Sequence, residues 1–309
     1  MKIAVTGISG YLGQVYRQFL EKDPDIGTIV GIDMVQPPAS SKLQFVKRDV
    51  RNPEIEKDFA GMDCIVHLAF IVMPIRSESE TDSINIGGTK NVFEAAARAG
   101  VKNIVYTSSV ASYGAWPDNP IPIKEDYPRR PMPDFYYSRT KAIIENWLDT
   151  FEKDHPDIRI VRLRPCIFVG PKINNLMLNL RTSRIIPVFT NFDPPVQFAW
   201  DEDVAQAIHL GVKKNVRGAF NIAGDGSMTM RQIASELGKI AIPMPYKFSL
   251  AMAKLMWKLR LSKMLHAGWI ESSRYPIIVD CSKAKTELGW KPTHTTMEAL
   301  RHFMKSLEG

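Results

Sequence analysis

Two periods alternate along the first half of the chain. Short apolar, β-branched runs fall at 3–6, 28–32, 43–46, 64–68, 104–107 and 158–163. Between them lie stretches with helical spacing at 11–21, 53–59, about 81–99 and 136–154. A strand covered on both faces reads as a near-continuous apolar run, and IVHLAF and NIVYTS have that character. Strand and helix patterns in strict alternation predict β-α-β units and a parallel, doubly wound α/β sheet.

After Pro165 the rhythm changes. Residues 174–184, 201–213, 229–240 and 249–261 have helical patterning, with strand-like GAFNIA at 218–223 between them, and prolines 187, 194 and 195 mark loops. The expected organisation is a nucleotide-type domain of 1–165 plus about 196–224. A smaller, mostly helical domain of about 166–195 plus 225–309 would complete the chain.

The composition of the 309 residues, 45% hydrophobic and 24% charged, is that of a globular protein. Forty basic against 33 acidic residues give +7, but scattered rather than in blocks, so no nucleic-acid partner is expected. Cys64, Cys166 and Cys281 are far apart and form no CxxC pair, which argues against a disulfide framework or a metal site. The apolar run at the N-terminus is too brief for a signal peptide, and no stretch reaches the ~18 apolar residues of a membrane span. A cytoplasmic protein without a membrane partner is the expectation.

Candidate chemistry begins at TGISGYLG, 6–13, directly behind the first strand. A glycine corner before a helix lets a phosphate approach free N–H groups where the helix dipole is favourable. Gly7 would permit the turn, Gly10 would clear the phosphate path, and Gly13 would let helix and strand pack closely. Asp33 ends the second strand twenty residues after Gly13. A carboxylate there can accept both ribose hydroxyls of an adenosine and repel a 2′-phosphate. Met34, Val35 and Gln36 supply no arginine for such a phosphate, so NAD is favoured over NADP. The competing reading is an ordinary α/β corner with a solvated Asp33.

Downstream, YYSRTK (136–141) contains Tyr137-x-x-x-Lys141, and TSSVASYG (107–114) precedes it. With RDVRN (48–52), HLA (67–69), NIGGTKNV (85–92), RPCIFVGP (164–171), DEDVA (201–205), FNIAG (220–224) and ELGWKP (287–292), these motifs stand in one order across the chain. The set resembles the extended short-chain dehydrogenase/reductases, the NAD-dependent epimerase/dehydratase group that contains UDP-galactose 4-epimerases. The resemblance implies a Rossmann-type sheet with a smaller substrate-binding domain. It also implies a catalytic trio of Ser109, Tyr137 and Lys141.

Tyr137 and Lys141 are one helical turn apart, so both leave one face. A fixed ammonium at ~4 Å would interact with a phenolate by about 4 kcal/mol at an effective dielectric of ~20. That is enough to lower the phenol's pKa by up to ~3 units. Tyr137 would then take a proton from a substrate hydroxyl. Without the flanking motifs, a packing tyrosine beside a solvated lysine would serve equally.

The resemblance extends to further positions. Tyr11, Leu12 and Met34 would line the cofactor, Asp49 and Val50 would flank adenine, and Leu68 and Ala69 would border the diphosphate. Thr107, Pro165 and Lys141 would meet the nicotinamide end. Asn85 would start the long helix, cap it or bridge it. Helices near 81–99 and 137–153 would pair in a homodimer.

The two positions after the active serine are acidic in the family's dehydratases, because elimination of water needs further proton transfer. Here they are Val110 and Ala111, which cannot move protons. Oxidation, reduction or 4-epimerisation remain. Asn174 and Asn175 match an NNLM stretch of UDP-galactose 4-epimerases and are candidate substrate contacts. Trp200, where relatives carry histidine, is a third.

Two departures oppose a nucleotide: Ile167 replaces an asparagine and Val196 a diphosphate-clamping arginine, although Arg181 or Arg184 could compensate. The preferred reading is a UDP-hexose 4-epimerase. An NAD-dependent dehydrogenase or reductase of a non-nucleotide alcohol or ketone comes second, and a catalytically inactive NAD-binding regulator third. The Leu-, Met- and Lys-rich segment 248–265 reads as a core-packing helix with a solvated basic face, against a lid, a membrane-surface helix or a partner site.

Overall fold

The computed structural model describes residues 1–73, 77–173, 180, 182–259, 261 and 266–306. Eleven strands lie among them: β1 Lys2–Thr6, β2 Thr28–Asp33, β3 Leu43–Lys47, β4 Cys64–His67, β5 Asn103–Thr107, β6 Arg159–Pro165, β7 Ile167–Val169, β8 Ile185–Phe189, β9 Phe198–Trp200, β10 Gly218–Ile222 and β11 Ile240–Met244. Seven form one parallel sheet in the order β10-β6-β5-β4-β1-β2-β3. The strand order reverses between β1 and β4, and Thr6 lies opposite His67 at that crevice. In doubly wound sheets the crevice beyond the strands' carboxyl ends is where ligands bind.

The alternation of side chains along each strand explains two cores. Ile3, Val5, Cys64, Val66, Val105, Val161 and Leu163 point to one face, where they meet helices Tyr11–Lys22 and Asp201–Lys213. Ala4, Ile65, Ile104, Tyr106 and Ile160 point to the other, against helices Gly88–Arg98 and Tyr136–Asp154. A third cluster, with Val169, Ile186, Val188, Phe198 and Phe303, forms the C-terminal core.

The sheet strands of the first half and helix Tyr136–Asp154 lie where the pattern predicts them. Four differences stand out. Loops were expected at prolines 187, 194 and 195 and helix over 229–240, yet β8 pairs with β11 and β7 with β9 in two small parallel sheets, while the expected strand at 218–223 forms β10. Pro187 sits inside β8 opposite Ile242, in a two-stranded sheet where each strand has a free edge and a missing N–H is tolerated. The helical pattern of 229–240 stops at Glu236, because Gly238 takes φ +60° and turns the chain into β11. The long helix near 81–99 is interrupted at Ser83–Gly87 by a π turn, in which the buried Asn85 side chain leaves the ladder to bond outside it.

The fourth concerns 248–265, of which 260 and 262–265 lie outside the described residues. Helix Tyr246–Lys258 buries just Ser249 and Ala253 among its residues, so it is not a core-packing element.

Candidate active site

The glycine corner is built by close approach. Gly7 has φ +76°, and a Cβ there would lie 2.6 Å from the Ala69 nitrogen; one on Gly13 would lie 2.7 Å from the Ile8 oxygen. Neither position admits a side chain. Gly10 is the N-cap of helix Tyr11–Lys22 and provides no side-chain cap, so the helix start at Tyr11, Leu12 and Gly13 offers its first N–H groups to an anion. Asp33 stands beside it. One of its oxygens accepts from Ser9 N at 3.0 Å and the other from Met34 N at 2.7 Å. Val35 N adds a third bond at 3.2 Å, so of the carboxylate's about four acceptor sites one remains for a ribose hydroxyl.

The remaining cofactor candidates trace the same crevice. Asp49 is held below its ordinary pKa first by the hydrogen bond from Arg51. Val50 accepts from Asn91 through its carbonyl at 2.7 Å and is packed beneath Gly88. Leu68 N donates to Thr6 O at 3.0 Å, which continues the β1–β4 ladder toward Ala69. Pro165 is buried at the end of β6, opposite Ile222. Thr107 Oγ1 is buried with no protein partner. A buried hydroxyl of that kind requires a partner, and a bound cofactor would provide one. The fit to a dinucleotide rests on this orphan and on the two positions that exclude a Cβ.

Helix Tyr136–Asp154 presents Tyr137 and Lys141 on one face, and Ser109 caps the short 3-10 turn Val110–Tyr113 through Ala111 N at 3.1 Å. The three side chains are held as follows. Ser109 is hydrogen-bonded to the Tyr137 phenol. Lys141 Nζ donates to the Thr107 carbonyl at 2.8 Å and lies 3.7 Å from the centroid of Phe70. Ser108, the neighbouring candidate, points inward and donates to buried Glu145 at 2.6 Å.

The electrostatics differ from the sequence expectation. Burial pushes the Tyr137 phenol above its ordinary value, and the Ser109 bond opposes that push; Lys141 is not among the causes. The ammonium is committed to Thr107 and Phe70, and burial brings Lys141 down to about 7, with Glu145 acting in the other direction. In the protein alone, Tyr137 is therefore a neutral phenol at neutral pH. A phenol held acidic by its lysine, as the spacing implied, is not what the fold builds unaided.

Three aromatic rings that no motif announced surround Tyr137. Phe70 meets it edge-on at 5.6 Å, Phe135 lies at 6.1 Å, and Trp269 stacks at 5.7 Å. Trp269 Nε1 also reaches the Met73 sulfur at 3.2 Å. Trp269 arrives from the C-terminal helix Ala267–Ser272, more than a hundred residues away, so local spacing carries no trace of it. Asn85 bridges this region: it bonds the backbone of Ile71 in both directions at 2.8 Å and donates to Tyr136 OH at 2.6 Å.

A second missed feature links the glycine corner to the C-terminal half. Tyr11 OH donates to Asp201, whose carboxyl burial raises to about 6. A side chain on Gly170 would collide with both. Trp200, the residue before Asp201, has His294 and His302 as ring partners and shares none with Tyr137. Asn174, Asn175 and Arg181 lie outside the described residues. Arg184 is exposed. Among the described residues no cluster of His, Cys, Asp and Glu could hold a metal, and no helix is long and apolar enough to cross a membrane.

Known proteins share this architecture. A Mycobacterium tuberculosis protein, itself uncharacterized, is 25% identical over 98% of this chain and 83% of its own. The Escherichia coli N-acetyl-α-D-glucosaminyl-diphospho-ditrans,octacis-undecaprenol 4-epimerase is 26% identical over 76% of this chain and 71% of its own. The solved Thermus thermophilus UDP-glucose 4-epimerase, in complex with NAD, superposes with a TM-score of 0.77 at 19% identity, covering all of this chain and 99% of that one. The sequence matches one family over residues 3–223, the stretch that carries the glycine corner, Asp33, Ser109, Tyr137 and Lys141, and the chain therefore belongs to the NAD dependent epimerase/dehydratase family.

Proposed function

We propose that this protein is a nucleotide-sugar 4-epimerase acting on a UDP-hexose. The observation that carries the reading is the pairing of Ser109 with the Tyr137 phenol, with Lys141 one helical turn on held by the Thr107 carbonyl and apolar Val110 and Ala111 next to the serine. Such a site can move one proton on and off a hydroxyl but has no second acid–base pair for eliminating water. The E. coli relative, a 4-epimerase of a sugar joined through diphosphate to undecaprenol, supports the 4-epimerisation, and the Thermus thermophilus UDP-glucose 4-epimerase supports the nucleotide.

The roles follow from the contacts. Ser109 hydrogen-bonds the substrate oxygen and the phenol, so proton transfer proceeds along a fixed line. Tyr137, ionised with loss of its proton to solvent once the positive ring of bound NAD favours the phenolate, would accept the hydroxyl proton and later return it to the same oxygen. Lys141, anchored on the Thr107 carbonyl, would hold the nicotinamide ribose. Bound NAD supplies the hydride acceptor and a positive ring. Phe70, Phe135 and Trp269 exclude water from the phenol, which strengthens every charge interaction there.

One observation favours a second reading. The ring partners of Tyr137 are apolar, and Val196 stands where the family's clamping arginine would be, so a non-nucleotide alcohol or ketone would also suit the site.

The two are separated by incubating the purified protein with UDP-hexoses and with free alcohols. An epimerase interconverts the sugars with no net NADH and releases NAD on denaturation. Net NADH from an alcohol, with UDP-sugars untouched, selects the second reading. Tyr137→Phe should lower turnover by roughly 100- to 10,000-fold while retaining NAD; turnover unaffected by that change would sink both.

A further inference from the structure

Helix Tyr246–Lys258 turns an unpartnered face outward. Tyr246, Ser249, Ala253 and Trp257 form its inner stripe. The Tyr246 ring packs on Phe189 and Phe192, Ser249 and Ala253 are buried, and Trp257 meets His266 edge-on. The opposite stripe carries Phe248, Leu255 and Leu259, which are 59%, 55% and 56% exposed. Their spacing of seven and four residues places all three on one line of the helix. Lys247, Lys254 and Lys258 are exposed and run along one flank of that line, and the helix contains no Asp or Glu. Lys254 has one counter-charge, Glu271 at 3.9 Å. The strand leading into the helix adds exposed Ile240 and Ile242, with Ile185 opposite Ile240.

We propose that this face docks on the surface of an anionic phospholipid bilayer. An interfacial helix needs apolar side chains that enter the acyl boundary and basic ones that reach the headgroups, and this helix has both on adjoining lines. The charge decides between occupants. A second copy would bring the same three lysines to the contact, whereas an anionic headgroup layer complements them. The inner stripe stays anchored on the protein, so docking requires no unfolding. The inference is independent of the substrate proposed above.

The test is cosedimentation of the full chain with vesicles of phosphatidylcholine alone and of an equimolar phosphatidylcholine–phosphatidylglycerol mixture. Two variants are run beside it: Phe248→Ser/Leu255→Ser/Leu259→Ser and Lys247→Gln/Lys254→Gln/Lys258→Gln. All six positions are exposed, and unchanged thermal melting with retained NAD certifies the fold. The protein should pellet with the anionic vesicles and not the neutral ones. The triple glutamine variant should bind about a hundredfold more weakly, near fivefold per lysine. The triple serine variant should lose binding. The proposal is overturned if the protein ignores both vesicles, or if either variant pellets like the parent. It is also overturned if the serine variant changes the monomer–dimer balance while the parent shows no vesicle binding, which would make the face a contact between copies.

Discussion

The indole of Trp269 lies nearly parallel to the Tyr137 phenol, with planes 28° apart and centroids separated by 5.7 Å. It also meets Phe135 at 4.8 Å, and Gly268 beside it is the residue that lets Phe135 come so close. This aromatic surface packs on the phenol whose pKa burial raises. Removing it with Trp269→Ala should weaken substrate capture by about tenfold, the scale of a lost aromatic contact. NAD affinity should not change. Hydration of the phenol should also move the limb of the pH profile assigned to Tyr137 toward lower pH. Steady-state kinetics across pH, with NAD titrated separately, checks both; an unaltered KM together with an unaltered profile would remove Trp269 from the site.

Glu145 and Arg164 form the buried charge pair beneath the trio. Arg164 donates to the two carboxylate oxygens at 2.7 and 2.6 Å, and Ser108 adds a third bond. Burial, the largest single influence, would raise this carboxyl, but Arg164, Ser108 and Arg162 together outweigh it and bring Glu145 to about 2. The folded value lies below the unfolded one of 4.5, so the native state binds fewer protons between them. The resulting stabilisation is present above pH 4.5 and is lost as pH falls toward 2. Its scale is on the order of 3 kcal/mol. Glu145→Gln should be destabilised at neutral pH, because Arg164 is left buried without its counter-ion. The stability gap between parent and variant should narrow as pH drops through that window. Urea unfolding at several pH values measures the gap; a gap independent of pH would refute the assignment.

Asp33 is fixed by three backbone N–H groups, from Ser9, Met34 and Val35. Its role is therefore positional as well as electrostatic. Asp33→Asn keeps the size but offers one acceptor oxygen and no charge. NAD affinity should fall roughly 10- to 100-fold, the range for losing a hydrogen bond to a charged group. The preference against NADP should shrink at the same time, since the repulsion of a 2′-phosphate is gone. Calorimetric titration with both dinucleotides decides it: an intact preference in the variant would place discrimination elsewhere.

The sequence alone determined the parts of this protein that are written in short periods. Strands β1 to β6, helix Tyr136–Asp154, the glycine corner and the Tyr137–Lys141 turn all depend on residues within a few positions of one another, where backbone sterics and side-chain alternation act directly. Gly13 is legible for the same reason, since it is crowded by Gly7 and Ile8, whereas Gly7 is also required by Leu68 and Ala69, some sixty residues on.

Tertiary structure decided what depends on distant partners. Strands β8 and β11 are stable because they pair with each other across more than fifty residues, which overrides a proline and a helix-like pattern. Phe70, Phe135 and Trp269 converge on Tyr137 from three parts of the chain, and Tyr11 finds Asp201 from 190 positions away. The pKa of Tyr137 belongs to this class. Spacing from Lys141 foretells attraction, but desolvation depends on everything packed around the ring, and only the assembled fold sets that balance.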